Sequence, residues 1–204
     1  MRYQEIKGDL IELAKAGSFD VIAHGCNCHS TMGAGLAPQM AKTFGCDKFE
    51  MELIGSDVNK LGNIDYQTFV LGKNAIWSLE DAKNNRNEPE LTVVNAYTQY
   101  NYGRNHSDGV LRPIDYEALT LCLRKMNMIF QGKRIGLPMI GAGLAGGDWD
   151  HIKYLIQKEL RDCQVTVVIY EKPSSNKLSL DEIMRDAYKQ NKLIDEKTSN
   201  DSEN

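Results

Sequence analysis

The residues of this chain best suited to chemistry sit in two glycine-rich loops. Gly141-Ala142-Gly143-Leu144-Ala145-Gly146-Gly147 joins a run that reads as a strand, Arg134 to Pro138, to one that reads as a helix, Trp149 to Leu160. Glycines at such a junction let the backbone approach an anion closely, and the free N–H groups and positive dipole end of the first helical turn favour negative charge. The chemistry this suits is the binding of phosphate or pyrophosphate. Asp148 stands where the helix needs an N-cap. A second loop, His24-Gly25-Cys26-Asn27-Cys28-His29-Ser30-Thr31-Met32-Gly33-Ala34-Gly35-Leu36-Ala37, again runs from strand through polar turn and glycines into a helix. Two such loops at strand ends can face each other across a cleft and hold two phosphates and a sugar between them.

Rival chemistries fit less well. Gly141-x-Gly143-x-x-Gly146 matches the dinucleotide fingerprint, with Glu171 after the next strand where a ribose-binding acid would sit. That fingerprint follows the first strand of its fold, however, whereas here only one more strand remains. No Gly-Lys-Ser/Thr follows, so a P-loop is excluded. His24, Cys26, Cys28 and His29 superficially suggest zinc, but strand alternation points the first three one way and no second ligand pair stands elsewhere. No metal and no cofactor is therefore expected. A cysteine phosphatase needs an arginine shortly after its nucleophile, and positions 27 to 37 contain none. Asp148-Trp149-Asp150 opens a helix instead of ending a first strand, which argues against an aspartyl-phosphate. Trp149 reads as a core anchor for that helix.

The elements that must position these loops follow from periodicity. Strands are expected at Tyr3 to Lys7, Asp20 to His24, Tyr66 to Leu71, Ala75 to Ser78, Thr92 to Tyr97, Arg134 to Pro138 and Val165 to Tyr170. Helices are expected over Ala34 to Phe44, stopped by Gly45, over Phe49 to Ile54, and over Pro113 to Phe130, with Leu119, Cys122, Leu123, Met126 and Ile129 on one buried face. In Trp149 to Leu160 the inward residues are Ile152, Leu155, Ile156 and Leu160. Strands alternating with helices imply an α/β layered domain. Asn84 to Glu90 and Asn101 to Asp108 read as loops. Ser179-Leu180-Asp181-Glu182 is a capping box for an amphipathic helix reaching about Lys192, and the uniformly polar Thr198 to Asn204 reads as disordered.

Composition bounds the rest. The 204 residues, 42% hydrophobic and 25% charged, fit one globular domain with a tail. With 24 Lys plus Arg against 28 Asp plus Glu, a formal charge of -4 leaves no basic field to attract nucleic acid. Met1 to Asp9 lacks a signal-peptide core, and no apolar run approaches the roughly 20 residues that span a bilayer. A soluble cytoplasmic protein with no membrane partner is expected. The five cysteines, Cys26, Cys28, Cys46, Cys122 and Cys163, read as reduced thiols.

Taken together, the motifs resemble those of the macrodomain family. Gly8-Asp9-Leu10 after the first strand is similar to that family's Gly-Asp-Ile/Leu, whose aspartate hydrogen-bonds the adenine amino group. Asn27 followed by Gly33-Ala34-Gly35 resembles the loop that wraps the distal ribose, and Gly141 to Gly147 the loop around the diphosphate. Tyr170 is similar to the aromatic that stacks on adenine. The resemblance runs from about Arg2 to Glu171 and implies a three-layer α/β/α domain with a mixed central sheet over residues 1–172, followed by a tail over 173–204. It also implies a small-molecule partner, an ADP-ribose derivative, touching Asp9, Leu10, Gly33, Ala34, Gly35, Leu36, Gly141, Ala142, Gly143, Leu144, Ala145, Gly146 and Tyr170.

Within the family, His24-x-Cys26-Asn27-Cys28 before Met32-Gly-Ala-Gly resembles the branch of ADP-ribose 1″-phosphate phosphatases and lysine-dependent ADP-ribosyl hydrolases. The hydrolases' lysine follows the strand that here reads Val93 to Thr98, and Gln99-Tyr100-Asn101 has none; their aspartate falls at Ala145, and that of another branch at Ala37. The resemblance thus implies a phosphatase acting on ADP-ribose 1″-phosphate. The alternatives are a non-catalytic ADP-ribose-binding module, or a hydrolase acting on ADP-ribosylated protein or nucleic acid. Phosphate removal needs a cradle for the phosphoryl oxygens, a group to orient water and an acid for the departing oxygen. His24, Asn27 and Asp148 are the expected catalytic residues: a histidine of pKa about 6.5 can pass a proton, an amide can hold a ribose hydroxyl or instead form an Asx turn, and a carboxylate can activate water at the cost of repulsion from the phosphate. His29 and His106 sit in polar loops, where His106 with Arg104 could close over a terminal phosphate.

Overall fold

A computed structural model describes residues 2–72, 76–78, 89–102 and 113–171. The strands are β1 (Arg2–Gly8), β2 (Val21–Asn27), β3 (Ile64–Leu71), β4 (Ile76–Ser78), β5 (Glu90–Gln99), β6 (Arg134–Leu137) and β7 (Gln164–Tyr170), and the helices α1 (Leu10–Lys15), α2 (Ala37–Phe44), α3 (Glu50–Leu53), α4 (Tyr116–Ile129) and α5 (Trp149–Glu159). They form one seven-stranded sheet in the order β1-β7-β6-β2-β5-β3-β4. The pairs from β1 through β5 are parallel, while β3 runs antiparallel to both β5 and β4. The central strands β2 and β5 are buried along nearly their whole length, which is why they read as continuous apolar runs.

Helices cover both faces. On one, α4 and α5 bury Leu119, Leu123, Met126, Ile152 and Ile156 against Val21, Val94, Ile135 and Val165. On the other, α1 and α2 bury Leu10, Ile11, Met40 and Phe44 against Ile22, Val93 and Val168. This is the three-layer mixed-sheet arrangement the resemblance implied.

The departures from expectation are local. Helix α2 begins at Ala37, not Ala34, because Gly35 takes a left-handed φ of +65° and Pro38 then sets the first turn; Gly45, at φ +64°, ends it as expected. Residues 49–54 make a single turn, α3. Ile129 is 48% exposed, because α4 terminates there and Phe130 takes the core position instead. Helix α1 was not foreseen; six residues are too few to show a period. All five cysteines are free and buried. No helix among the described residues is long and apolar enough to cross a membrane. The expected lid residues Arg104 and His106, most of the 84–90 and 101–108 loops, Ala75, and the tail with its helix from Ser179 lie outside the described residues.

Candidate functional site

Parallel strands bring their carboxyl ends to one edge of the sheet, and in open α/β sheets ligands bind there. The order along that edge is Tyr170 beside Gly8 and Asp9 where β7 pairs with β1, then the loops after β6 and β2, then Gln99 to Tyr102 after β5.

The loop after β6 is held by its own backbone. Ala142 N donates to Met139 O (3.1 Å), Gly146 N to Gly143 O (3.0 Å) and Gly147 N to Gly141 O (2.9 Å), while Ile114 N donates to Ala145 O (3.2 Å) and ties the loop to the approach of α4. Gly141 has φ +75°, and a Cβ on Gly147 would stand 2.6 Å from Ile152 Cδ1 and 2.8 Å from Gly141 O, so no side chain fits there. The N–H groups of Gly143, Leu144 and Ala145 donate to no partner among the described residues. Asp148 Oδ1 accepts from His151 N (3.0 Å) and caps α5, while Asp148 N donates to the Tyr116 hydroxyl (2.8 Å).

The loop after β2 is built on Asn27. Its Oδ1 accepts from His29 N (2.9 Å) and Thr31 Oγ1 (3.0 Å), and its Nδ2 donates to Thr31 O (2.8 Å). Ser30 follows at φ +55°, a conformation that costs a non-glycine residue energy unless its surroundings hold it. They do: Ser30 Oγ donates to Glu52 O (2.9 Å) and accepts from the buried Lys60 Nζ (2.6 Å). Beneath lies Tyr97, whose hydroxyl donates to the buried Glu52 Oε1 (2.7 Å), pushing the phenol's pKa far up through burial and that carboxylate. From Met32 to Gly35 the backbone N–H groups again find no partner among the described residues. A Cβ on Gly35 would lie 3.5 Å from Leu144 Cδ1, so the two glycine loops meet across the edge of the sheet.

Several expected site residues are placed otherwise than foreseen. His24, expected to pass a proton, is 2% exposed; its Nε2 is 2.8 Å from Asn95 Oδ1, with Cys26 Sγ and Cys46 Sγ at 3.7 and 3.6 Å. Asn95 Nδ2 is spent on Cys46 O (2.9 Å), so Oδ1 is the acceptor and Nε2 carries the hydrogen. Burial lowers the imidazole pKa to about 4. This ring is a neutral interior group on the α2 side of β2 and has no exposed face to offer a substrate. Asn27 makes the Asx turn. The Leu10 side chain is a core residue at 4% exposure, and Ala145 is 8% exposed, so each has only backbone to present. Asp9 caps α1 through Oδ1, which accepts from Ile11 N (2.9 Å) and Glu12 N (3.1 Å). Tyr170 is 63% exposed beside it. Gly33, Ala34, Gly35, Gly143, Leu144 and Gly146 are exposed around the meeting point of the loops, with Leu36, Gly141 and Ala142 half-buried behind them. Sequence reasoning missed Ser30, Glu52, Lys60, Tyr97 and the orphaned Thr98 hydroxyl, fully buried beside Gly25 and Ile140 without a partner among the described residues. No short spacing signals such contacts.

No protein-family model matches the chain. It is 31% identical over 175 residues to an uncharacterised 17.5 kDa protein from the tk-vs intergenic region of Enterobacteria phage T4, covering 81% of this chain and 95% of that one. It is 26% identical over 176 residues, with the same coverage, to an ADP-ribose 1″-phosphate phosphatase of Meyerozyma guilliermondii. Among solved structures, the macrodomain of Thermus aquaticus DarG superposes with a TM-score of 0.54 at 21% identity, over 83% of this chain and 98% of that one.

Proposed function

Because this chain belongs to the macrodomain family, we propose that its cleft takes ADP-ribose 1″-phosphate and hydrolyses it to ADP-ribose and phosphate. The observation that carries the reading is the pair of facing loops, at Met32 to Gly35 and Gly143 to Ala145, whose N–H groups are unspent among the described residues. Backbone donors fixed in advance are what a diphosphate needs, since no reorganisation is required when the anion arrives. Asp9 keeps Oδ2 for the adenine amino group while Oδ1 caps α1, and Tyr170 offers an exposed ring next to it. Asn27 Nδ2 spends one hydrogen on Thr31 O and has a second for a hydroxyl of the distal ribose. Asp148 uses Oδ1 in its cap, and we assign Oδ2 the role of orienting water.

The test is release of inorganic phosphate from ADP-ribose 1″-phosphate by the purified protein. Turnover supports the reading; its absence, with ADP-ribose still bound, overturns it. That second outcome fits a binding module, a reading favoured by the structural duties of His24, Asn27 and Asp148.

A further inference from the structure

We propose that His29, and not His24, meets the group carried on the distal ribose, and that Ser56, Tyr100 and Tyr102 hold it for that purpose. The inference rests on the reading above, that a phosphorylated ADP-ribose lies along the cleft.

The strand order sets the direction. If the adenine lies at Asp9 and Tyr170, beside β1 and β7, and the diphosphate over the loops after β6 and β2, the far end of the ligand must approach the next strand, β5. The residues that leave β5 on that edge include Tyr100 and Tyr102, and the residue of the β2 loop that leans on them is His29. Its ring centroid is 4.8 Å from that of Tyr100 at 58°, and 5.8 Å from that of Tyr102 at 85°. Its Nδ1 is 2.7 Å from Ser56 Oγ. Its backbone N–H is taken by Asn27 Oδ1, the residue that shapes the loop.

An imidazole gripped by two rings and at one nitrogen has one orientation, and its remaining nitrogen, Nε2, has no partner among the described residues. Holding a donor by packing and by one hydrogen bond, with the other nitrogen left open, is how a reactive group is kept in place for a ligand. Contrast His24, whose Nε2 is spent on Asn95 in the interior.

The chemistry balances. A water oxygen bonds to phosphorus and gives its proton to Asp148, while the bond between phosphorus and the oxygen on C1″ breaks. That oxygen takes a proton from Nε2 of the His29 imidazolium, whose Nδ1–H stays donated to Ser56 Oγ, and leaves as the sugar hydroxyl; the proton on Asp148 returns to His29 through solvent. No oxidant, reductant or further reactant enters.

The experiment uses the full chain, wild type, His29→Ala and His29→Gln. It measures phosphate release from ADP-ribose 1″-phosphate and, by calorimetry, the affinities for that ligand and for ADP-ribose. We expect His29→Ala to release phosphate about 100-fold more slowly or worse. Its ADP-ribose affinity should stay within about threefold, and the wild-type preference for the phosphorylated ligand should vanish. His29→Gln, with a donor but no proton to give, should keep the preference and remain slow. Turnover at the wild-type rate in His29→Ala, or an unchanged preference, overturns the proposal, as does a wild type that binds both ligands equally. A variant that loses ADP-ribose binding altogether also overturns it, since His29 would then only support the fold. If the wild type binds ADP-ribose but releases no phosphate, the phosphatase reading fails on its own. The preference then decides the role of His29: its loss in His29→Ala supports the contact, and its persistence sinks it.

Discussion

The buried histidine of β2 makes the chain sensitive to acid by an amount that can be worked from its surroundings. His24 is 2% exposed, its Nε2 hydrogen goes to Asn95, and its ring stands against the buried thiols of Cys26 and Cys46, whose own pKa values burial pushes up, to about 12 for Cys46. Burial of the ring disfavours the imidazolium and outweighs the Asn95 hydrogen bond, so the folded-state pKa falls to about 4 from an ordinary 6.5. A depressed folded pKa means that the unfolded chain binds the proton more tightly. The stabilisation is therefore whole above about pH 6.5 and is lost as the pH falls towards 4, by about 2 kcal/mol at pH 5 and about 3 at pH 4. His24→Gln keeps a donor for Asn95 and cannot titrate. Urea unfolding at pH 7, 5 and 4 should show the wild type losing that much more stability than the variant. Asp20 and Glu159, whose carboxyls are held low by the hydrogen bonds of Arg134 and Arg124, add an acid-dependent loss common to both proteins and drop out of the difference. Parallel losses in wild type and variant would refute the placement of a neutral His24 in the interior.

Other substitutions separate folding from binding. Gly147→Ala forces a Cβ to within 2.8 Å of Gly141 O and should lower both melting temperature and ADP-ribose affinity, whereas at Gly143 a Cβ meets nothing within 4 Å, so Gly143→Ala should melt like wild type yet bind ADP-ribose more weakly in calorimetry. Asp148→Ala should cost about 1 kcal/mol through the lost cap, measured by urea unfolding, while Asp148→Asn keeps the cap and should slow phosphate release by about 100-fold. Tyr97→Phe leaves the buried Glu52 carboxylate without its donor and should destabilise by about 1–3 kcal/mol in the same unfolding assay.

The layered fold was legible because the central strands β2 and β5 are buried along nearly their whole length and read as apolar runs, while each long helix has a period of three and four. The glycine loops were legible because backbone conformation at Gly35 and Gly141 demands that residue type, and the demand shows as composition. Side-chain duty was much less so. Strand alternation says that His24 and Cys26 share a face, but whether that face meets ligand or core depends on Cys46, whose Sγ stands 3.6 Å from the imidazole and whose carbonyl holds Asn95. Lys60 is unremarkable in sequence, and only the fold brings its amine to Ser30, with the Tyr97 ring 5.4 Å away. His29 read as a solvated loop residue because its partners are Ser56, Tyr100 and Tyr102, which no local pattern connects to it.

Everything proposed for His29, Asp148 and Asn27 depends on the facing loops forming one cleft for ADP-ribose. The most direct test of that cleft is a calorimetric titration of the full chain with ADP-ribose. Saturable uptake of one ADP-ribose per chain is expected; a folded wild-type protein that takes up none at ligand concentrations far above those of ordinary nucleotide sites would show that the loops form no such cleft.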